Sequence, residues 1–258
     1  MVIIMEQSDK GYSSNKWLGI SSYIAVVIVG IFLFVYLYHI LQQVLNFDPF
    51  PQPILTTENR PLYSKYVNKC VGDRFEFGSY PQGPNGEVRP VVWRVLQRDS
   101  DSLLIISEKS LDFKPYEETN KIVAWSDCTL RRWLNGEFFY KAFNNQERSL
   151  IKMSKLSNND DSSTKDWVFL LSVDEAGSLF ADNNDRIAKY TDYAVKNNPY
   201  IGEKYEDLML KFTHWWLRSH GNFFESGSSW MVDSDGKIDE FPIHSNTYIR
   251  PALRLVLF

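Results

Sequence analysis

Cysteine is scarce in this chain: its 258 residues hold only two, Cys70 and Cys128. Neither lies near the C-terminal end, and neither belongs to a C-x-x-C pair, so a closed Cys/His zinc set is excluded. Histidine is sparse as well, and His214, His220 and His244 share no helical H-x3-H spacing. There is no G-x-S-x-G elbow to expose a serine nucleophile. An excess of positive charge is missing too. Lys and Arg total 28 against 32 Asp and Glu, a formal net charge of −4, which removes nucleic acid as an expected partner. Finally, no charged side chain occurs from Leu18 to Tyr38.

That last absence is the strongest single signal. The segment Trp17–Leu41 is long enough to cross a bilayer core as a helix, with Trp17, Tyr36 and Tyr38 where interfacial aromatics belong. It ends in bulky LYHILQQVLNF rather than a small-residue cleavage site, and so reads as an uncleaved anchor in contact with membrane lipid. Lys10 and Lys16 precede it and no Lys or Arg follows until Arg60. The positive-inside bias then puts the N-terminus in the cytoplasm and the remainder outside the cell membrane.

The expected order is a cytoplasmic tail (1–16), an anchor (17–41), a proline-rich spacer (42–62) and an extracytoplasmic domain (63–258). With aromatics at 15% and hydrophobic residues at 44%, the last of these can build a packed core. Strand-like runs come first, at 91–99 and 102–111. Helical spacing follows in TLRRWLNGEFFYKAF (129–143), where Leu130, Trp133 and Leu134 share a face. Asn144-x-x-Glu147, opening a helix over 144–156, and Ser172-x-x-Glu175 read as capping boxes. Short strands return in HWWLRS, SSWMVDSDGKIDEF and YIRPALRLVLF, with Asp235-Gly236 as a hairpin turn. Helices grouped between strands suggest an α+β domain.

Eight phrases in order carry a resemblance: SYPQG (79–83), VVWRVL (91–96), LLIISEKSLD (103–112), WSDCTLRRWLNGEFF (125–139), VFLLSVDEA (168–176), WWLRS (215–219), VDSDGKI (232–238) and YIRPALRL (248–255). Over about residues 72–258 the chain resembles an uncharacterised bacterial domain family marked by these motifs. That family is similar in its C-terminal pattern to formylglycine-generating enzymes, so the resemblance implies a C-type-lectin-like fold. His220 stands where the family has proline, and Cys128 where it has a small serine. The copper-binding cysteine pair of the oxidases is absent here, which removes their chemistry.

The remaining site candidates are recognition residues. In a strand, Trp215 and Trp216 point to opposite faces, and Arg218 shares the face of Trp216. Trp216, Arg218, Trp230 and Arg250 are therefore the candidate ligand contacts; the alternative is aromatic core with arginines paired internally. Asp233, Asp235 and Asp239 admit a calcium site, although EF-hand spacing is missing and a hairpin turn explains them with fewer assumptions. No other cofactor is expected. A disulfide between Cys70 and Cys128 is permitted outside the cytoplasm and would add about 4 kcal/mol by loop closure; two free thiols are the alternative. The expected function is a membrane-anchored, non-catalytic module displayed at the surface to bind a glycan, peptide or protein. A structural role in an envelope assembly and an enzyme of unseen class, such as a glycan hydrolase, are the alternatives.

Overall fold

The computed structural model describes residues 53–119, 121–160, 162–198, 214–222 and 227–258, together with Ile31, Leu33, Tyr36 and Leu37. The chain divides into a unit Met1–Pro51 and a unit Gln52–Phe258. In the first, those four residues are helical and their side chains are exposed. The tail 1–16 and the rest of the expected anchor 17–41 lie outside the described residues. Among the described residues no helix is long and apolar enough to cross a membrane.

The second unit opens with α1 (Arg60–Tyr66), β1 (Arg74–Pro81), β2 (Val88–Arg98), β3 (Ser102–Ser107), β4 (Lys109–Ser110) and β5 (Asp112–Pro115). Then come α2 (Thr129–Trp133), a π turn (Leu134–Phe138), α3 (Phe139–Ala142) and α4 (Asn145–Arg148). Next are β6 (Ile151–Lys152), β7 (Ser154–Ser157), β8 (Ser163–Asp166), β9 (Val168–Phe169), α5 (Val173–Ser178), α6 (Asn183–Arg186), β10 (Lys189–Tyr190) and α7 (Asp192–Lys196). The chain finishes with β11 (Trp215–His220), β12 (Ser228–Val232), β13 (Ile238–Pro242), β14 (Asn246–Ile249) and β15 (Ala252–Val256). Part of the proline-rich stretch is built into this unit: Asn59 is buried, and its amide donates to Ile54 O and Ser149 Oγ.

Two sheets carry the architecture. One runs β1-β2-β3-β15-β6, with β9 also on β15, and all its pairs are antiparallel. The other runs β13-β12-β11-β14-β5, with β11 and β14 parallel. Every residue of β3 is buried, which is why SLLIIS shows no alternation: both of its faces are covered. Trp93 from β2 and Leu253 and Leu255 from β15 join it, and Leu134, Phe138 and Phe143 lie in the same core. At about 1.5–3 kcal/mol for each fully buried large apolar side chain, this cluster is the main source of stability.

The expected α+β, C-type-lectin-like class is overturned. The domain is mostly β-sheet with a curled half-barrel and only 23% helix. The difference arises in the middle of the chain. The capping boxes at Asn144 and Ser172 both form, yet they start helices of only four and six residues. After Arg148 the chain leaves the helix because Ile151 and Lys152 pair with Leu255 and Arg254, covering backbone groups at the edge of β15. The Asp235-Gly236 turn is present between β12 and β13. Gly236 adopts φ +75, and an added Cβ would lie 1.8 Å from Asn183 O, so glycine is required there on two counts.

Candidate functional site

The stretch WWLRS becomes β11, an inner strand of its sheet, and its packing decides the fate of two candidates. Trp215 and Trp216 do face opposite sides, but both are fully buried. Trp216 meets Tyr116 and Phe241 and donates its indole N–H to Lys114 O at 3.1 Å. Arg218, 5% exposed, pairs with Glu175 of α5 and donates to Leu170 O at 3.0 Å. The hydroxyl of Ser219 accepts the Val173 N–H at 3.1 Å. WWLRS and FLLSVDEA thus hold each other, and burial withdraws Trp216 and Arg218 from any open platform. Trp230 is half-buried in β12 opposite Glu240 of β13. Among the described residues Arg218 and Arg250 share no partner, so the four candidate contacts do not converge.

The other candidates resolve as follows. Asp233 Oδ1 accepts the backbone N–H groups of Asp235 and Lys237, both at 2.8 Å, and serves the turn. No three His, Cys, Asp or Glu side chains gather into a metal set among the described residues. The permitted disulfide does not form, since Cys70 is exposed and Cys128 buried, both as free thiols. Cys128 caps α2, its sulfur accepting the Arg131 N–H at 3.3 Å. Burial pushes its thiol pKa up to about 12, so it is unreactive at neutral pH.

Arg250 has a different setting. It is 2% exposed, and its guanidinium lies 5.1 Å from the Trp215 ring centre and 5.7 Å from that of Phe180. Nε donates to Ser107 O at 2.9 Å and Nη1 to Arg186 O at 3.1 Å. The Trp215 indole N–H uses the same Arg186 carbonyl, at 3.2 Å. Among the described residues Arg250 makes no salt bridge. Burial lowers its pKa to about 10; Glu108 and Asp185 oppose that, while Arg94 and Arg74 add to it.

This guanidinium lines a cavity of about 490 Å³ whose walls include Arg74, Arg94, Glu108, Lys109, Asp185 and Lys189. Five cations therefore face two carboxylates. Both carboxylates are engaged: Arg94 grips Asp185 through two bonds of 2.7 Å, and Arg74 Nε meets Glu108 at 3.0 Å. The Arg94 fork holds the Asp185 carboxyl below its ordinary range and raises the pKa of Arg94 in return. The side-chain ammonium groups of Lys109 and Lys189 have no hydrogen-bond or salt-bridge partner among the described residues. Buried Glu108 Oε2 and Arg94 Nε are likewise without one. Among the described residues the lining contains no serine, threonine, cysteine or histidine.

Sequence reasoning reached Arg250 but none of the other basin residues. They come from β1, β2, the β3–β4 junction, β4, α6 and β10, and no local spacing joins them.

A β-rich domain with a basic basin around one buried arginine is the class that fold and site define. Residues 100–257 match the family model described as Domain of unknown function (DUF6273), and the chain belongs to that family. The matched segment begins beside β3, so β1 and β2, which bring Arg74 and Arg94, extend the same sheet beyond it. No curated protein and no solved structure matches the chain.

Proposed function

We propose that this protein is a non-catalytic recognition module that takes an anionic group into the Arg250 basin. The observation that carries this reading is Arg250 itself, a buried cation without a carboxylate partner among the described residues, at the wall of a cavity with surplus positive charge. A buried charge is costly unless it is met by an opposite one, and here carbonyls and two aromatic faces only partly offset that cost. An incoming anion would complete the set. Both carboxylates of the lining are already held by arginines, Asp185 by Arg94 and Glu108 by Arg74, which favours holding over turning over. The uncharged run Leu18–Tyr38 supports tethering to the cell membrane, with the domain displayed outside.

The test is a binding screen of the full-length chain against uronate-bearing glycans, phosphorylated sugars and acidic peptides. A Lys109→Gln/Lys189→Gln variant runs in parallel. The expected result is an anionic binder whose affinity falls with added salt and drops at least about tenfold in the variant. Equal binding by the variant removes the basin as the site. Absence of any binder favours the assembly role.

A further inference from the structure

We infer that the group taken by the basin is the phosphate of a phosphorylated polyol, clamped between Lys109 and Lys189 above Arg250. The inference rests on the anion-binding reading above and is carried by a separate observation. Strands β4 and β10 form a two-residue parallel ladder in which Lys109 and Lys189 are direct partners. Partnered residues of a parallel ladder stand on the same face about 4.8 Å apart. Like charges in that position repel each other. In most sheets such a pair finds a nearby carboxylate. Here each carboxylate is already paired with an arginine, Asp185 with Arg94 through both oxygens and Glu108 with Arg74 through Oε1. Two ammonium groups on flexible stems at the edge of a cavity are an arrangement that a shared anion stabilises.

The geometry favours phosphate over carboxylate. A carboxylate carries one charge on two coplanar oxygens and is best met by a single arginine fork. The Arg94 fork is occupied by Asp185, and Arg250 has spent Nε and Nη1 on carbonyls. The donors left for the anion include three separate ones: two ammonium groups and Arg250 Nη2, which has no hydrogen-bond partner among the described residues. Lysines bind phosphate as point charges, and the oxygens of a phosphate monoester spread in three directions with two charges to neutralise. The remainder of the ligand follows from the two unpaired atoms. Glu108 Oε2 is an acceptor and Arg94 Nε a donor, both buried in residues of the cavity wall. A hydroxyl can donate to the first and accept from the second. A volume of about 490 Å³ accommodates a small polyol body.

Calorimetric titration of the full-length chain, in nonionic detergent and phosphate-free buffer, tests this. The probes are glycerol 3-phosphate, inorganic phosphate, glycerol and glucuronate, with phosphatidic acid in mixed micelles of the same detergent to separate a lipid source from a soluble one. Glycerol 3-phosphate or the phosphatidic acid micelles should bind, and glycerol should not. Lys109→Gln and Lys189→Gln, exposed substitutions that leave the near-ultraviolet circular dichroism unchanged, should each weaken binding about tenfold. Glu108→Gln should reduce the preference for glycerol 3-phosphate over inorganic phosphate, and an unchanged preference rules out the hydroxyl contact. If glucuronate binds as tightly as the phosphate ester, the phosphate inference is overturned while the anion-binding reading stands. If no anion binds, both fall.

Discussion

Asp166 offers the sharpest check on how the middle of the chain is held. Its carboxylate is fully buried, with four donors converging on it. Oδ1 accepts Arg131 Nε at 2.6 Å and Asn135 Nδ2 at 3.3 Å. Oδ2 accepts Trp125 Nε1 at 3.0 Å and Thr164 Oγ1 at 2.7 Å. Asp166→Ala strands the Arg131 Nε, Trp125 and Thr164 donors, while Asn135 Nδ2 keeps Val168 O and Arg131 O. Breaking a buried ion pair costs about 3–5 kcal/mol, and the Arg131 side chain, 23% exposed, regains some hydration, which places this part near the lower end. The indole and hydroxyl lose their acceptor as well, at about 1 kcal/mol or more together. A net loss of about 4 kcal/mol follows, which in a domain of this size lowers the thermal midpoint by roughly 8–16 °C. Thermal unfolding followed by near-ultraviolet circular dichroism measures it. Asp166→Asn, which keeps one carbonyl acceptor, should lose about half as much. In a double-mutant cycle, Arg131→Met with Asp166→Ala should fall short of additivity by about 1–2 kcal/mol. A loss below about 1 kcal/mol, or additivity within about 0.3 kcal/mol, would refute the network.

Two further outcomes follow from the same kind of reasoning. The Asp185 carboxyl is held below its ordinary range by Arg94, so the stability of that pair is fully present above the unfolded aspartate pKa and is lost as pH falls through the folded one. The midpoint gap between the wild type and Asp185→Asn should therefore be constant near neutral pH and close on acidification below about pH 4; a gap that persists in acid contradicts the assignment. For the thiols, mass spectrometry after maleimide treatment should find the native chain labelled at Cys70 alone and the denatured chain at both cysteines. Native labelling of Cys128 would contradict its burial and its raised pKa.

What could be read from the sequence was local. The capping boxes at Asn144 and Ser172, the turn at Asp235-Gly236 and the helical face of Leu130, Trp133 and Leu134, the tryptophan only partly buried, depend on neighbours within about four residues, and all are present. The opposed faces of Trp215 and Trp216 were legible for the same reason. Their shared burial was not, because it depends on β12 and β14 flanking β11 and on Tyr116 and Phe180 arriving from distant segments. Fold class failed on a related point: the length of a helix is limited by where the next strand finds a partner, and Ile151 finds Leu255 more than a hundred residues away. The basin is non-local in the same sense. Lys109 and Lys189 are 80 positions apart, and only the β4–β10 ladder makes them neighbours.

The π turn at Leu134–Phe138 acts as a phase adjuster. A regular α-helix advances each residue by about 100°, and the wider turn spends an extra residue without that full advance. Within it Asn135 reaches sideways, its amide donating to Val168 O at 2.9 Å and its carbonyl accepting the Trp167 N–H at 2.8 Å. Immediately beyond it Phe139 lies flat on Trp167, with ring centres 4.9 Å apart and planes 13° from parallel. Deleting one residue from the turn would give a more regular helix and a worse protein. Every side chain after the deletion would swing by about a quarter of a turn, taking Phe139 off its indole and Phe143 out of the core.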